Sequence, residues 1–392
     1  MKSWNQTCIL LVAAIVFFTS CKKNNDPSPP ERVERTTDSS FRVPLSKGIN
    51  LSNWFNDYSD PQQYATRFTD AHFALLKAKG FTYVRIPIGQ NILFQQGNPS
   101  QLKPSNLVHV ESAVQKAIDH GLAVTINYHT ASDLFESTLP TNTANQDKLA
   151  AYWKAMANHF RKYSTTQIFF EVYNEPHVAS NGSLPASVNR LWWMPVQKKL
   201  VDAIRSETPD HFIIVGGEGW NSIEGLKMLT PYQQINIIYN FHCYEPFFFT
   251  HQGATWTDAT VAKLRNVPYP SSPELVAPII DTSTDADVIQ YLTWYGDDNW
   301  DVQRMENVIK QAYDWGKANK AAIICNEFGS YKTYAPRESR LQCIYDLRST
   351  LEKFGFGWAM WEMDEGFGFI DYTGEDRSNF TVDKEVLQAL GL

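Results

Sequence analysis

Cysteine and net charge are both scarce in this chain of 392 residues, and each shortage excludes a class of protein. Of its 5 cysteines only Cys243, Cys325 and Cys343 lie beyond residue 21, so a disulfide framework does not define the fold. Lys and Arg number 35 against 42 Asp and Glu, and this mild negative charge argues against a nucleic-acid partner, because phosphate binding needs clustered cations. No CxxC, His-x-His or other metal-ligand spacing occurs, and we expect no metal or other cofactor.

Long apolar runs are also missing, apart from one near the start. Residues 8–18 are too few to span a membrane and have the length of a signal-peptide core. Small residues and then Cys21 follow, which resembles a bacterial lipoprotein signal; the resemblance implies that residues 1–20 are removed and that Cys21 is lipidated. An ordinary secretory signal is the alternative reading of this segment.

The next segment, residues 21–44, is polar, charged and proline-rich, which predicts a flexible tether. We therefore expect an exported protein that meets a bacterial membrane or cell surface only through a lipid anchor. A secreted or periplasmic protein is the alternative.

Hydrophobic residues make up 43% of the chain and aromatic residues 14%, a composition typical of a folded globular protein. From residue 45 onward, short apolar runs alternate with longer stretches of helical periodicity. The eight runs are residues 48–51, 83–88, 123–129, 168–175, 212–217, 235–242, 321–327 and 356–361. This alternation predicts parallel strands covered by helices, and eight units favour a single (β/α)8 TIM barrel over residues 45–392. An open doubly wound sheet is the alternative, but no glycine-rich phosphate loop follows the first run.

The wide spacing between the sixth and seventh runs predicts an insertion at about residues 247–297 after strand six. Asp281, Asp285 and Asp287 cluster there. We favour a solvated acidic loop over a lid or a calcium-stabilised loop.

Two carboxylates, Glu175 and Glu327, close the fourth and seventh apolar runs. In a barrel, the strand ends of one face converge on a shared funnel, where a pair of acids suits glycoside hydrolysis. A single such Glu would more often be a helix N-terminal carboxylate or part of a surface loop, but two of them in equivalent positions favour the catalytic reading.

The polar residues at the strand ends occur in a recognisable order. They are Arg85, His129, Asn174-Glu175-Pro176, His242 and Tyr244, Asn326-Glu327 and Trp361. This ordered set resembles glycoside hydrolase family 5, a family of retaining barrel cellulases, and the resemblance covers residues ~45–390, nearly all of the chain after the signal segment.

The resemblance implies a role for each position. Glu175 would be the acid/base and Glu327 the nucleophile, kept ionised by Arg85 and Tyr244. Asn174 would bind the sugar 2-hydroxyl and Trp361 would stack on the sugar, although that ring can equally be barrel-mouth core. His129 and His242 would be supporting donors, with buried core histidines as the alternative. A retaining enzyme implies carboxyl groups ~5–5.5 Å apart.

Residues 244–256 resemble a segment of bacterial family members that act on β-1,4-glucans, which implies His251 and Trp256 as sugar-subsite residues. Trp54 and Trp220 also follow strands and are candidate sugar platforms, with packing at the rim as an equal alternative. We expect a monomeric endo-β-1,4-glucanase acting on a polysaccharide such as cellulose or mixed-linkage glucan. The alternatives are the same mechanism on β-mannan, glucomannan or xyloglucan, and a non-catalytic surface carbohydrate-binding barrel.

Overall fold

The computed structural model describes residues 39–56, 60–95, 97–129, 138–177 and 190–392. Residues 1–20, Cys21 and most of the tether lie outside these ranges, so the signal, the lipid anchor and the exported location stay predictions. Among the described residues, no helix combines the length and the apolar character that crossing a membrane requires.

Eight parallel strands close into a barrel, which confirms the predicted fold. They are β1 Lys47–Asn50, β2 Tyr83–Ile88, β3 Ala123–Tyr128, β4 Ile168–Glu171, β5 Ile213–Gly216, β6 Ile237–Cys243, β7 Ala322–Phe328 and β8 Gly357–Met360. The first strand pairs with both the second and the last, so the sheet has no free edge and the open-sheet alternative is wrong.

Helices connect the strands along the outside of the barrel. In the described residues the α-helices are Asp70–Ala78, Gln90–Leu93, Pro104–Asp119, Thr143–Phe160, Trp193–Arg205, Ile223–Met228, Phe247–Thr250, Pro273–Ile280, Ala286–Asp297, Val302–Asn319, Arg337–Lys353 and Lys384–Ala389. Short 3₁₀ turns occupy Ser39–Phe41, Pro61–Gln63, Arg190–Trp192, Val261–Lys263 and Glu365–Phe367, and β9 Ile370–Tyr372 pairs antiparallel with β10 Phe380–Val382.

Helix Pro104–Asp119 shows why these segments are helical. A proline stands in its first turn, where no backbone N–H bond is lost, and Gly121 follows its end with a φ of 71°. Between these two signals, Val110, Ala113, Val114 and Ala117 are buried on one face and cover the barrel.

The lower half of the barrel interior is apolar. Inward-facing side chains of the strands form a cluster of their own, separate from the larger core between the barrel and its helices. Phe41 and Leu45 belong to this inner cluster, and Phe41 packs on Phe212 at a ring-centroid distance of 5.7 Å. The folded part therefore begins before residue 45, the boundary predicted for the end of the tether.

The upper half of the interior is polar. Because side chains alternate along a strand, the strand positions two residues above the apolar layer also point inward. These positions hold Asn50, Arg85, Glu171, Asn240 and Asn326, all buried. The barrel thus changes from an apolar floor to a hydrogen-bonded layer directly beneath the strand ends.

The insertion after β6 is largely helical and does not form the acidic loop that the sequence predicted. Asp285 caps helix Ala286–Asp297 by accepting the backbone N–H groups of Asp287 and Val288, and it also pairs with Lys263 at 2.7 Å. Its carboxylate is therefore committed to a helix cap and an ion pair.

Gly48 on β1 gives a test of the packing in the barrel floor. A Cβ atom at this position would overlap the ring of Tyr83, so we expect Gly48→Ala to lower the free energy of unfolding by about 1–3 kcal/mol. Urea unfolding followed by tryptophan fluorescence measures the change. Gly97→Ala is the matched control, because a Cβ there meets no atom within 4 Å. Equal stability of the two variants would contradict the packing described here.

Candidate active site

Glu175 lies four residues beyond the end of β4, on backbone in the left-handed region with a φ of 44°. An L-residue in this region costs about 1–3 kcal/mol and persists only where its surroundings hold it. The backbone N–H of Asn174 donates to the Tyr128 carbonyl at 2.8 Å, and the N–H of Gly219 donates to the Pro176 carbonyl at 2.7 Å. These bonds hold the turn in place, and 26% of the Glu175 side chain is exposed at the barrel mouth.

Glu327 lies on β7 itself and is buried. One carboxylate oxygen, Oε1, accepts from Arg85 Nη1 at 2.5 Å, and the other, Oε2, accepts from the Tyr244 hydroxyl at 3.1 Å. The two contacts come from β2 and from the end of β6, so both oxygens are oriented by neighbouring parts of the barrel.

His242 bridges the two carboxylates. Its Nδ1 lies 2.7 Å from Glu175 Oε1 and 3.6 Å from Glu327 Oε2. The ligand-type atoms of these three residues all lie within 4.8 Å of one another. The acids that follow β4 and lie on β7 therefore approach each other to within a few ångströms at the barrel mouth.

The hydrogen bonds of Asn240 fix the tautomer of His242. The backbone N–H of Asn326 donates to Asn240 Oδ1 at 3.0 Å, so the Asn240 amide NH2 is the group that faces His242 Nε2 at 3.2 Å. Nε2 must accept, which places the ring proton on Nδ1, where it donates to Glu175. Burial lowers the pKa of His242 to about 4, so the ring is neutral at pH 7.

Arg85 is fully buried, and all five of its N–H donors are used. Nε donates to Glu171 at 2.7 Å, and Nη2 donates to Glu171 and to Asn174 Oδ1, both at 2.8 Å. Nη1 donates to Asn50 Oδ1 at 2.8 Å as well as to Glu327. A guanidinium with every donor engaged has a single orientation, which it imposes on its partners.

The two acids differ in their surroundings. Burial is the largest influence on Glu175 and raises its pKa to about 7, with Arg85 and His177 opposing the rise. Burial also raises the pKa of Glu327, whereas the positive charge of Arg85 lowers it. Of these two acids, only Glu327 forms an ion pair with Arg85, and that pair favours the ionised form of Glu327.

Glu175, His242 and Glu327 are the one group in the described residues with the spacing of a metal site. A metal would need the lone pair of His242 Nδ1, and the ring proton would then move to Nε2. There it would face the Asn240 amide N–H groups, which the Asn326 backbone holds in place. The donor set therefore does not fit a metal ion.

Aromatic rings follow the ends of β5 and β8, at the same end of the barrel as the two acids. The half-buried Trp361, directly after β8, stacks on His129 with a centroid distance of 5.7 Å and an interplanar angle of 17°. Burial lowers the pKa of His129, so this imidazole is neutral and packs as a flat ring. Trp220, beyond β5, is 53% exposed and stacks on His177 at 4.7 Å.

A protein-family model, described as cellulase (glycosyl hydrolase family 5), matches residues 37–366. The chain belongs to glycosyl hydrolase family 5. It is a glycosidase, and its barrel is the fold of the solved structures that it resembles.

Two endoglucanases are identical to this chain at about a quarter of the aligned positions. Endoglucanase 3 of Fibrobacter succinogenes is 28% identical over 341 residues, which are 83% of this chain and 50% of that protein, so the chain spans half its length. Endoglucanase C of Acetivibrio thermocellus is 26% identical over 326 residues, 81% of this chain and 91% of that protein.

Solved structures of Cel5A from Thermotoga maritima are similar to this chain over most of its length. The complex with cellobiose aligns with a TM-score of 0.72 and 27% identity, covering 90% of this chain and 100% of that one. The complex with mannotriose also gives 0.72 and 27%, covering 90% and 98%.

All eight residues assigned through the family 5 resemblance lie around one site. Arg85, Asn174, Glu175, His242, Tyr244 and Glu327 are connected by hydrogen bonds and ion pairs. His129 and Trp361 stack on each other, and His129 is near enough to Arg85 and His242 for their charges to lower its pKa. Their chemical roles stay predictions, but the sequence identified the residues that the fold brings together.

The candidates from the 244–256 segment lie in one aromatic cluster. Trp256 is 60% exposed and packs edge-on against Tyr331 at 5.0 Å. His251 is buried between the rings of Tyr244, at 4.8 Å, and Phe247, at 4.4 Å. His251 therefore supports Tyr244 from behind, whereas Trp256 and Trp220 present exposed ring surface and stay candidate sugar platforms.

Trp54 is a correction to the predicted set of sugar-binding residues. Its side chain is 2% exposed, stacks on Phe55 at 4.6 Å and donates its indole N–H to the Tyr64 carbonyl. Neither face is open to a ligand, because the residue turns toward the surrounding helices and not toward the barrel mouth.

Glu171, Asn50 and Asn240 are the residues that sequence reasoning missed, and Asn326 was named only as the neighbour of Glu327, without a role. Each contacts Arg85, His242 or another member of the buried polar layer. The available signal was a polar side chain inside an otherwise apolar strand, as in Ile168-Phe169-Phe170-Glu171. Such a residue is buried whichever way it points, so it must have a partner inside the fold.

The protonation of His242 can be tested directly. In protein labelled with ¹⁵N-histidine, we expect His242 to remain neutral, with its proton on Nδ1, from pH 8 down to about 4, because burial lowers its pKa to that value. The ¹⁵N shifts of the two ring nitrogens report the tautomer, and a His242→Gln variant assigns the signals. A proton on Nε2 would contradict the hydrogen-bond pattern set by Asn240.

Proposed function

We propose that this chain is a retaining endo-β-1,4-glucanase in which Glu175 is the acid/base and Glu327 the nucleophile. The proposal is carried by the proximity of the two acids: one carboxylate oxygen of Glu175 and one of Glu327 lie within 4.8 Å of each other. Inverting glycosidases keep their carboxyl groups about 6.5–9.5 Å apart to admit a water molecule between acid and sugar. The short gap here favours direct attack by a carboxylate.

In the first step, Glu327 Oε2 or Oε1 attacks the anomeric carbon as the glycosidic bond breaks. The neutral carboxyl of Glu175 transfers its proton to the leaving oxygen. His242 donates to Glu175 Oε1, so the transferable proton resides on Oε2. Glu327 loses its negative charge in forming the ester, and Glu175 gains one in losing its proton.

In the second step, the ionised Glu175 takes a proton from water, and the resulting hydroxide oxygen attacks the anomeric carbon. The ester bond to Glu327 breaks, its electron pair returns to the carboxylate, and Glu175 is again neutral. Two inversions at one carbon give net retention. A pKa near 7 suits a group that must act as an acid and then as a base.

The neighbouring residues orient the sugar. Asn174 Oδ1 accepts from Arg85, which directs the Asn174 NH2 group away from the guanidinium. This NH2 group is the hydrogen-bond donor for the 2-hydroxyl of the sugar. Trp361, backed by His129, provides a flat apolar surface for the sugar at the cleavage point.

A β-1,4-glucan is the substrate that the comparisons support best, since both endoglucanases and the cellobiose complex of Cel5A match most of this chain. The mannotriose complex of the same enzyme makes β-mannan the second candidate. A non-catalytic carbohydrate-binding barrel is disfavoured, because such a protein has no need of two acids in contact with Arg85 and His242.

Substitution of the two acids tests this proposal. We expect Glu175→Gln and Glu327→Gln each to reduce reducing-end release from carboxymethylcellulose by about 10²–10⁴-fold or more. With 2,4-dinitrophenyl cellobioside, whose leaving group needs no proton, Glu175→Gln should retain rapid ester formation and Glu327→Gln should not. Glucomannan and xyloglucan, assayed in parallel, report the substrate preference.

Glu224→Gln is the control for these variants, because Glu224 is exposed and pairs with Lys227 on the outer helix Ile223–Met228. It should match the wild type on every substrate. Wild-type rates in either active-site variant would show that the catalytic pair has been assigned wrongly, and an inverted anomer in the product would refute double displacement.

The pH dependence follows from the state of Glu175. Its pKa is raised to about 7, and only the protonated form can donate to the leaving oxygen, so kcat/KM should fall as pH rises through about 7. Hydrolysis of a cello-oligosaccharide, followed by product release across the pH range, measures this alkaline limb. If the Glu175→Gln variant kept the same alkaline limb, another group would have to donate the proton.

A further inference from the structure

Glu171 has no role in the mechanism described so far, although it has the most extensive contact with Arg85. It lies at the end of β4, buried inside the barrel. Its two oxygens accept from Arg85 Nε and Nη2, and Oε2 also accepts from Asn326 Nδ2 at 2.9 Å. Glu171 is 1% exposed and both of its oxygens accept hydrogen bonds from neighbouring side chains, so it acts through these neighbours.

Glu171 has to be included in the charge balance of the site. Before reaction, Arg85 is positive, Glu171 and Glu327 are negative and Glu175 is neutral, which gives a net charge of about −1. After ester formation Glu327 is neutral and Glu175 is negative, so the net charge is the same. The reaction moves one negative charge from a residue that contacts Arg85 directly to one that does not.

Without Glu171, the transfer of negative charge from Glu327 to Glu175 would be unfavourable. Arg85 would then be a buried cation whose single counter-ion is Glu327, and esterification of Glu327 would leave it unpaired. Removing one partner of a buried ion pair is strongly unfavourable, because an uncompensated charge remains in a low-dielectric interior.

We propose that Glu171 is a positioning residue that remains the counter-ion of Arg85 throughout the catalytic cycle, so that Glu327 is free to give up its charge to the sugar. The inference rests on the proposed double displacement. It also explains why a chain of bonds from Asn240 and Asn326 ends on Glu171, since these amides fix the carboxylate against the guanidinium.

The same carboxylate influences the proton on Glu175. The charged or titratable groups that face Glu175 are Arg85 from β2, Glu171 from β4, His177 from the following loop, His242 and Tyr244 from the β6 end and Glu327 from β7. The negative charge of Glu171 raises the pKa of Glu175, while Arg85 and His177 lower it. Loss of the Glu171 charge would therefore lower the pKa of Glu175 and move the alkaline limb of activity to lower pH.

The experiment compares kcat/KM from about pH 4 to about pH 9 on cellotetraose for the wild type and variants at residue 171. We expect Glu171→Gln to lower kcat about 10²-fold with a smaller change in KM, and to move the alkaline limb down by roughly one pH unit. Glu171→Asp keeps the charge, so its limb should coincide with that of the wild type even if its geometry lowers kcat.

Two further variants separate charge from structure. The swap Glu171→Gln with Asn326→Asp exchanges a carboxylate and an amide that already share a hydrogen bond, so the cluster keeps its net charge and the limb should return toward wild type. Asp346→Asn removes a buried carboxylate elsewhere, on helix Arg337–Lys353, where Tyr269 and Gln342 bind it. It should leave both kcat and the limb unchanged.

A folded Glu171→Gln with the wild-type limb would overturn the inference. If Glu171→Gln does not fold, the double variant Glu171→Gln with Asn326→Asp decides. An alkaline limb at the wild-type pH supports the proposal, and a displaced alkaline limb overturns it. The same criterion applies to Glu171→Asp. These outcomes are distinct from failure of the proposed function, which would appear as activity retained in Glu175→Gln or Glu327→Gln.

Discussion

The buried guanidinium of Arg85 is the interaction on which the active centre depends. A cation inside a barrel is tolerated only when counter-charges and acceptors replace water, and here all five donors are satisfied. The partners come from β1, β4, the turn after β4 and β7. One side chain therefore ties together segments that are far apart in the sequence, and it orients the nucleophile and Asn174 at the same time.

The apolar floor of the barrel makes that arrangement possible. The inward-facing cluster that contains Phe41, Leu45 and Tyr83 closes the lower end, so the polar layer above it lies in a low-dielectric environment, where each hydrogen bond is strong and each unpaired group is costly. Burial is accordingly the first cause of the raised pKa of Glu175. The same burial keeps His242 neutral and able to donate to that carboxyl.

The parts of the fold that were predicted correctly are those that repeat. Apolar runs alternating with helical periodicity located all eight strands, and the long interval after β6 located the insertion. Local pattern could not show that the insertion is helical or that Trp54 turns away from the barrel mouth, because a residue just past a strand can face either side. Glu171 was missed for a related reason: a lone acid within an apolar strand carries no indication of its partner.

The sequence by itself determined the barrel, the order of the strand-end residues and the two acids, because strand periodicity and the geometry of a closed parallel sheet send those positions to one rim. Only the tertiary structure decided the distance between the acids, the proton position on His242 and the sharing of Arg85 between Glu171 and Glu327. These properties depend on contacts across the barrel, which no local pattern encodes. Arg85 and Glu171 are 86 positions apart in the chain, and Arg85 and Glu327 are 242 positions apart.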